Sequence, residues 1–137
     1  MNSIVISLII ICSFVIISLG VVKYYRLELV QTNGNSMYPT LLHGRPVLIR
    51  KRLKFPKDVV DGRIYVYTCP KGYLVIKRLS HHVVIGGKYY FFFEGDNKEY
   101  SEDSRHYGHV PTDCLEGILV FNKPNKGEVD NGKDSRN

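Results

Sequence analysis

Cysteine is scarce in this chain, and what there is cannot form a framework. Of three cysteines in 137 residues, Cys12 lies in an apolar run, so only Cys69 and Cys114 could pair, with two unpaired structural thiols as the default. Metal-ligand spacing is missing too. His81 and His82 stand together without Cys or carboxylate partners at ligand spacing, so no metal and no cofactor is expected, and the pair reads as part of an exposed turn or strand. There are no internal repeats, and no convincing helical periodicity follows residue 23. One segment lacks charge altogether: residues 4–22 (IVISLIIICSFVIISLGVV) hold none of the 19 Lys and Arg and none of the 13 Asp and Glu.

As a helix that run reaches about 28 Å at about 1.5 Å per residue, close to the thickness of a bilayer's hydrocarbon. A single transmembrane anchor is the natural reading. The competing reading is a cleaved secretory signal with Ser18 and Gly20 near the cut; against it, the run is long and no Lys or Arg precedes it. Lys23 and Arg26 follow the span, a charge bias that favours a cytoplasmic carboxyl end.

The formal charge of +6 raises nucleic acid as a partner, and RPVLIRKRLKFPK (45–57) is its best support. Val47, Ile49 and Leu53 interleave with Arg50, Lys51 and Arg52 as in a half-buried strand with a solvated face. A basic face beside an anchor suits lipid headgroups, and no nucleic-acid-binding motif accompanies the charge, so no nucleic acid is expected.

Short segments rich in Val, Ile, Tyr and Phe predict strands at 24–31, 45–53, 63–68, 73–79, 83–85, 88–94 and 115–122. Gly86-Gly87 reads as a two-residue hairpin turn. At 137 residues only one core fits. The expected organisation is a short segment 1–3, an anchor over 4–22, an all-β domain over 23–121, as two sheets or a partly closed barrel, and a polar, disordered tail over 122–137.

Three segments carry candidate chemistry. NGNSMYPTL (33–41) puts Ser36 at a bend, although Asn, Gly and Ser crowd turns for conformational reasons alone. YLVIKRLS (73–80) puts Lys77 among Leu74, Val75 and Ile76; a lone lysine there usually sends its amine to water, but a buried one has a lowered pKa and can take a proton from serine. GDNKEYSEDSRHYG (95–108) alone would be a surface loop.

Together and in this order, the three segments resemble the serine, lysine and carboxyl-terminal boxes of the type I signal peptidases, with GRPVLIRK matching the strand between them, over about residues 1–120. The resemblance implies a signal-peptidase/repressor-protease-like β fold with Ser36 as nucleophile and Lys77 as general base. It implies Ser101 as the hydroxyl that orients the lysine amine, Asp103 and Arg105 as a supporting ion pair, and Met37 as a residue that helps bury the lysine. Leu41 and Ile76 would line shallow substrate pockets, and the Ser36 backbone N–H would donate to the oxyanion. The implied partners are precursor proteins carrying signal or leader peptides, cut after small residues by a domain on the trans side of a membrane. That side opposes the charge bias after the span.

The chain departs from the family pattern in three places. Gly34 stands where some members have an oxyanion-binding hydroxyl, LSHHVVIGGKYY replaces a Gly-x-Pro-Gly-Asp run, and the insertion that forms a second domain is absent. Such shortness resembles minimal and specialised maturation peptidases, including those that trim a nickel superoxide dismutase precursor. Two rivals remain: the self-cleaving repressor class, which carries a DNA-binding domain or soluble arm where this chain has its apolar run, and a decayed, peptide-binding domain.

Overall fold

The computed structural model describes residues 2–122. The tail expected from residue 122 onward lies outside the described residues except for Asn122 itself.

The uncharged run forms α1 (Ser3–Tyr25), long and apolar enough to cross a membrane, with no residue buried against the rest of the protein. Its hydroxyls are already satisfied: Ser7, Ser13 and Ser18 donate to the carbonyls of Ser3, Ile9 and Phe14 one turn back, as a helix in hydrocarbon requires. Tyr24 and Tyr25, expected to begin a strand, instead complete the helix. Arg26 then turns the chain in the left-handed conformation (φ 50°). Arg52 lies over the Tyr24 ring at 4.7 Å, and Lys51 N–H donates to Arg26 O, so the following domain grips the helix exit.

The remainder is one curled antiparallel sheet, not two. Its strands are β1 (Leu27–Gln31), β2 (Pro46–Arg50), β3 (Ile64–Thr68), β4 (Leu74–Ile85), β5 (Lys88–Glu94), β6 (Val110–Pro111) and β7 (Leu115–Asn122), in the order β1-β2-β7-β3-β4-β5-β6. A single helical turn, α2 (Ser104–Tyr107), follows β5. Expected strands 73–79 and 83–85 are one strand, because Ser80 bulges out and pairing with β5 resumes at His81. The histidines continue the strand: His81 stacks on Phe92 at 4.8 Å and His82 meets Asp61 at 2.8 Å. Gly86 and Gly87 close the hairpin with φ of 57° and 77°, the left-handed geometry a tight two-residue turn demands.

The sheet is buried on both faces at its centre, and β3 shows why. Tyr65 and Tyr67 point to one core with Leu79, Phe91, Phe93, Val110 and Ile118, where Tyr67 stacks on Phe93 at 4.2 Å. Ile64 and Val66 point to the other, with Val47, Ile49, Met37 and Leu41. Cys69 and Cys114 are free thiols.

Candidate active site

The serine segment is a loop closed at its neck. Thr32, 5% exposed, exchanges backbone hydrogen bonds with Arg45 (3.0 Å) and Gly44 (2.7 Å), and its hydroxyl lies 2.5 Å from Leu42 O and accepts from Arg45 N–H. Gly34 turns the chain at φ 86°, and its N–H donates to His43 Nδ1 at 2.9 Å. Met37 and Leu41 are buried in the second core and anchor the loop, leaving Ser36 half-buried between them and the exposed bend. Among the described residues the Ser36 N–H donates to no acceptor.

Lys77 sits in β4 between Val75 and Leu79 on the face of the first core and is only 4% exposed. Its Nζ donates to Ser36 Oγ at 2.5 Å. Burial pushes its pKa below the ordinary lysine value, against a smaller upward pull from the Asp103 carboxylate. The pair thus has the two properties an amine base needs, contact with the hydroxyl and a disfavoured ammonium.

Asp103 is fully buried and caps α2. It accepts from Arg105 Nε (2.8 Å), Arg105 Nη2 (2.7 Å), Arg105 N–H, Gly95 N–H (2.8 Å) and the Ser101 hydroxyl (2.6 Å). Burial alone would raise this carboxyl, but the Arg105 fork, the Gly95 amide and the Ser101 hydroxyl outweigh it and hold it far below the usual range. Ser101, expected to hydrogen-bond the lysine amine, donates to Asp103 and makes no bond to Lys77 among the described residues. Its reach toward the amine is lost to a stronger acceptor, the carboxylate two residues on.

Ser36, Met37, Leu41, Ile76 and Lys77 all line one cleft of about 470 Å³, which runs on past Val30, Ile49 and Val66 to Glu28, Lys51, Leu74 and Glu116. Its sides are the outer edge of β1 and the first half of β4, whose pairing with β5 begins only at Arg78.

A sequence profile described as peptidase S24-like matches residues 18–107, about two thirds of the chain, and takes in the serine loop, the lysine strand and the Asp103 turn. The chain belongs to the peptidase S24-like family. No curated protein matches it significantly. Membership in the S24-like family supports a serine-peptidase type of activity and the superfamily that repressor proteases and signal peptidases share. It does not single out the type I signal peptidases.

Several residues of this S24-like site went unnamed among the candidates. Gly95 is pressed between the two halves: a Cβ there would stand 2.6 Å from Ser36 O and closer still to Ser101 Oγ. Asn97 N–H donates to Ser36 O at 2.9 Å. Asp96 accepts from Arg78 Nε and Nη2 (2.8 and 2.6 Å) and from Thr40 Oγ1, tying the residue after Lys77 to the serine loop. The signal was available in Gly95-Asp96-Asn97 and in an arginine beside the lysine, a polar run and a charge that each read as surface until the fold closes them together.

Proposed function

We propose that the protein is a membrane-anchored serine endopeptidase that removes amino-terminal signal or leader peptides from precursor proteins after small residues. Ser36 is the nucleophile and Lys77 the general base. The observation that carries this reading is the buried Lys77 amine in contact with the Ser36 hydroxyl, in a cleft bounded by two unpaired strand edges.

In the proposed cycle the neutral amine takes the Ser36 proton as Oγ attacks the scissile carbonyl, and the Ser36 N–H donates to the developing oxyanion. The resulting ammonium returns its proton to the departing amine, leaving an ester on Ser36. Water, deprotonated by Lys77, then hydrolyses the ester and frees the enzyme. Asp103, held by Arg105 and Ser101, is a positioning residue whose charge keeps the amine from becoming too weak a base. An extended substrate strand pairs with the cleft edges through its backbone, which suits a short segment with few distinctive side chains. Met37, Leu41 and Ile76 shape the pockets beside the cut. The chemistry asks for no cofactor. α1 anchors the enzyme in lipid with its catalytic domain on the trans side, the location the substrates require.

The test is incubation of the purified full-length protein in detergent with a set of precursors, followed by sequencing of the new amino termini. Cuts after small residues are expected from the wild type, and none from Ser36→Ala or Lys77→Ala. Cleavage surviving in either variant sinks the dyad.

A further inference from the structure

The cleft carries a net negative charge at the end away from Ser36, in a chain whose formal charge is +6. Four charged side chains line it: Glu28, Lys51, Lys77 and Glu116. Lys77 works as a neutral amine in the proposed reaction. Glu28 and Lys51 neutralise each other across 2.6 Å. Glu116, half-buried, has no ion-pair partner among the described residues and only a long contact of 3.4 Å from the Thr68 hydroxyl.

Glu116 reaches this place through a defect in the sheet. Tyr67 pairs with Leu115 and Val66 with Gly117, so Glu116 is the extra residue of a bulge in β7. A bulge re-aims the side chain it carries, and in a regular strand the residues on either side of 115–117 would not have left this carboxylate free of a cross-strand neighbour. The bulge is closely packed: a Cβ on Gly117 would stand 3.1 Å from Arg50 O on β2, tighter than an ordinary side-chain contact. The carboxylate thus lines the same cavity as the dyad, where the neutral Thr68 hydroxyl it contacts cannot balance its charge.

We infer that Glu116 selects a Lys or Arg side chain in the substrate, about three residues from the cleaved bond. The position follows from the strand register. Thr68, which Glu116 touches, lies opposite Leu74, and Tyr65 lies opposite Lys77. A peptide laid along this edge therefore advances about three residues, about 10 Å at 3.3 Å per residue, between the dyad and the acidic end. The apolar floor of Val30, Ile49, Val66 and Ile76 lies between, so the stem of a long basic side chain crosses apolar surface before its head meets Glu116. Only a cation both supplies the missing charge and donates the hydrogen bonds; a carboxylate at the same point is repelled. The inference rests on the peptidase reading above.

The experiment uses full-length protein in detergent micelles and peptides built on one cleaved precursor sequence, with Lys, Ala or Glu placed in turn at each position on both sides of the cut. For the wild type, kcat/KM is expected to favour Lys over Glu by about tenfold at one position about three residues away, and to be nearly indifferent elsewhere. Glu116→Gln, which changes a single polar group, should bring that ratio close to one, and Glu116→Lys should reverse it. A wild-type profile flat at every position, or a Lys preference that persists in Glu116→Lys, overturns the assignment while leaving the peptidase intact. If the wild type cleaves no member of the series, the peptidase reading fails and this inference falls with it.

Discussion

Asp103→Asn separates two effects of one buried charge. The carboxylate is wholly enclosed, with Arg105 N–H and Nε on one oxygen and Gly95 N–H, the Ser101 hydroxyl and Arg105 Nη2 on the other. An amide nitrogen in place of the first oxygen faces donors alone, in place of the second it meets two donors and a hydroxyl that must turn to accept, and either way Arg105 loses its counter-charge. Breaking a buried pair costs about 3–5 kcal/mol, reduced here toward about 2–4 because the Arg105 side chain is 31% exposed and recovers part of its hydration. With a urea dependence of about 1–3 kcal/mol per molar, the midpoint of unfolding should fall by about 1–2 M. Because the folded-state pKa of Asp103 is depressed, this difference is fully present above the carboxyl's ordinary value of 3.8 and fades as pH falls through the folded value. The second effect appears in catalysis. Burial lowers the Lys77 pKa and the Asp103 charge opposes that; without it, and with the Arg105 charge left uncompensated, the amine is harder still to protonate. The acid limb of the kcat/KM profile should therefore move to lower pH in the variant, even as the protein becomes less stable. Urea titrations and pH–rate profiles in detergent read both. An acid limb that stays put or moves upward in a folded, active Asp103→Asn refutes the electrostatic link between this carboxylate and the lysine.

Two further outcomes follow from the same geometry. Gly95→Ala places a methyl group against Ser36 O and the Ser101 side chain, so the nucleophile must move; kcat should drop by about 100-fold, and a variant within a few-fold of wild type would show that the two halves have slack between them. Lys77→Met replaces a buried amine, whose lowered pKa means the folded state resists its protonated form, with an apolar chain of similar length. The loss of that penalty should raise the urea midpoint at pH 7, with the advantage shrinking as pH rises toward the ordinary lysine value of 10.5; equal or lower stability would contradict the burial of a costly group.

Much of this was legible in the residues, and the exceptions have physical reasons. Period-2 patterning marked the main strands, since each presents apolar side chains to a core. It failed at His81 and His82, where a bulge keeps β4 continuous and the two imidazoles take opposite faces, His81 stacking on Phe92 and His82 reaching Asp61, and at Tyr24 and Tyr25, whose alternation is equally compatible with a helix end. Ser36 and Lys77 were found through their surrounding motifs. Whether Lys77 is buried could not be read from YLVIKRLS, because both sets of alternate residues there are apolar: Val75 and Leu79 on the lysine's side, Leu74 and Ile76 on the other. The fold leaves Leu74 61% exposed and Ile76 half-buried but closes over Lys77 and Leu79, and only the curl of the chain decides it. Glu116 was invisible for a different reason: a bulge is a mismatch between two strands, and neither strand contains it alone.

The turn at Arg26 has a consequence for reach. A single residue separates the apolar helix from β1, and β1 is itself one wall of the cleft, only five residues long before the serine loop begins. With α1 in a bilayer, Thr32 is held within about 20 Å of the point where the chain leaves the lipid, at about 3.3 Å per extended residue. The enzyme is in effect on a short leash. For the substrates proposed above, a cut site within about six extended residues of the bilayer stands level with the serine loop.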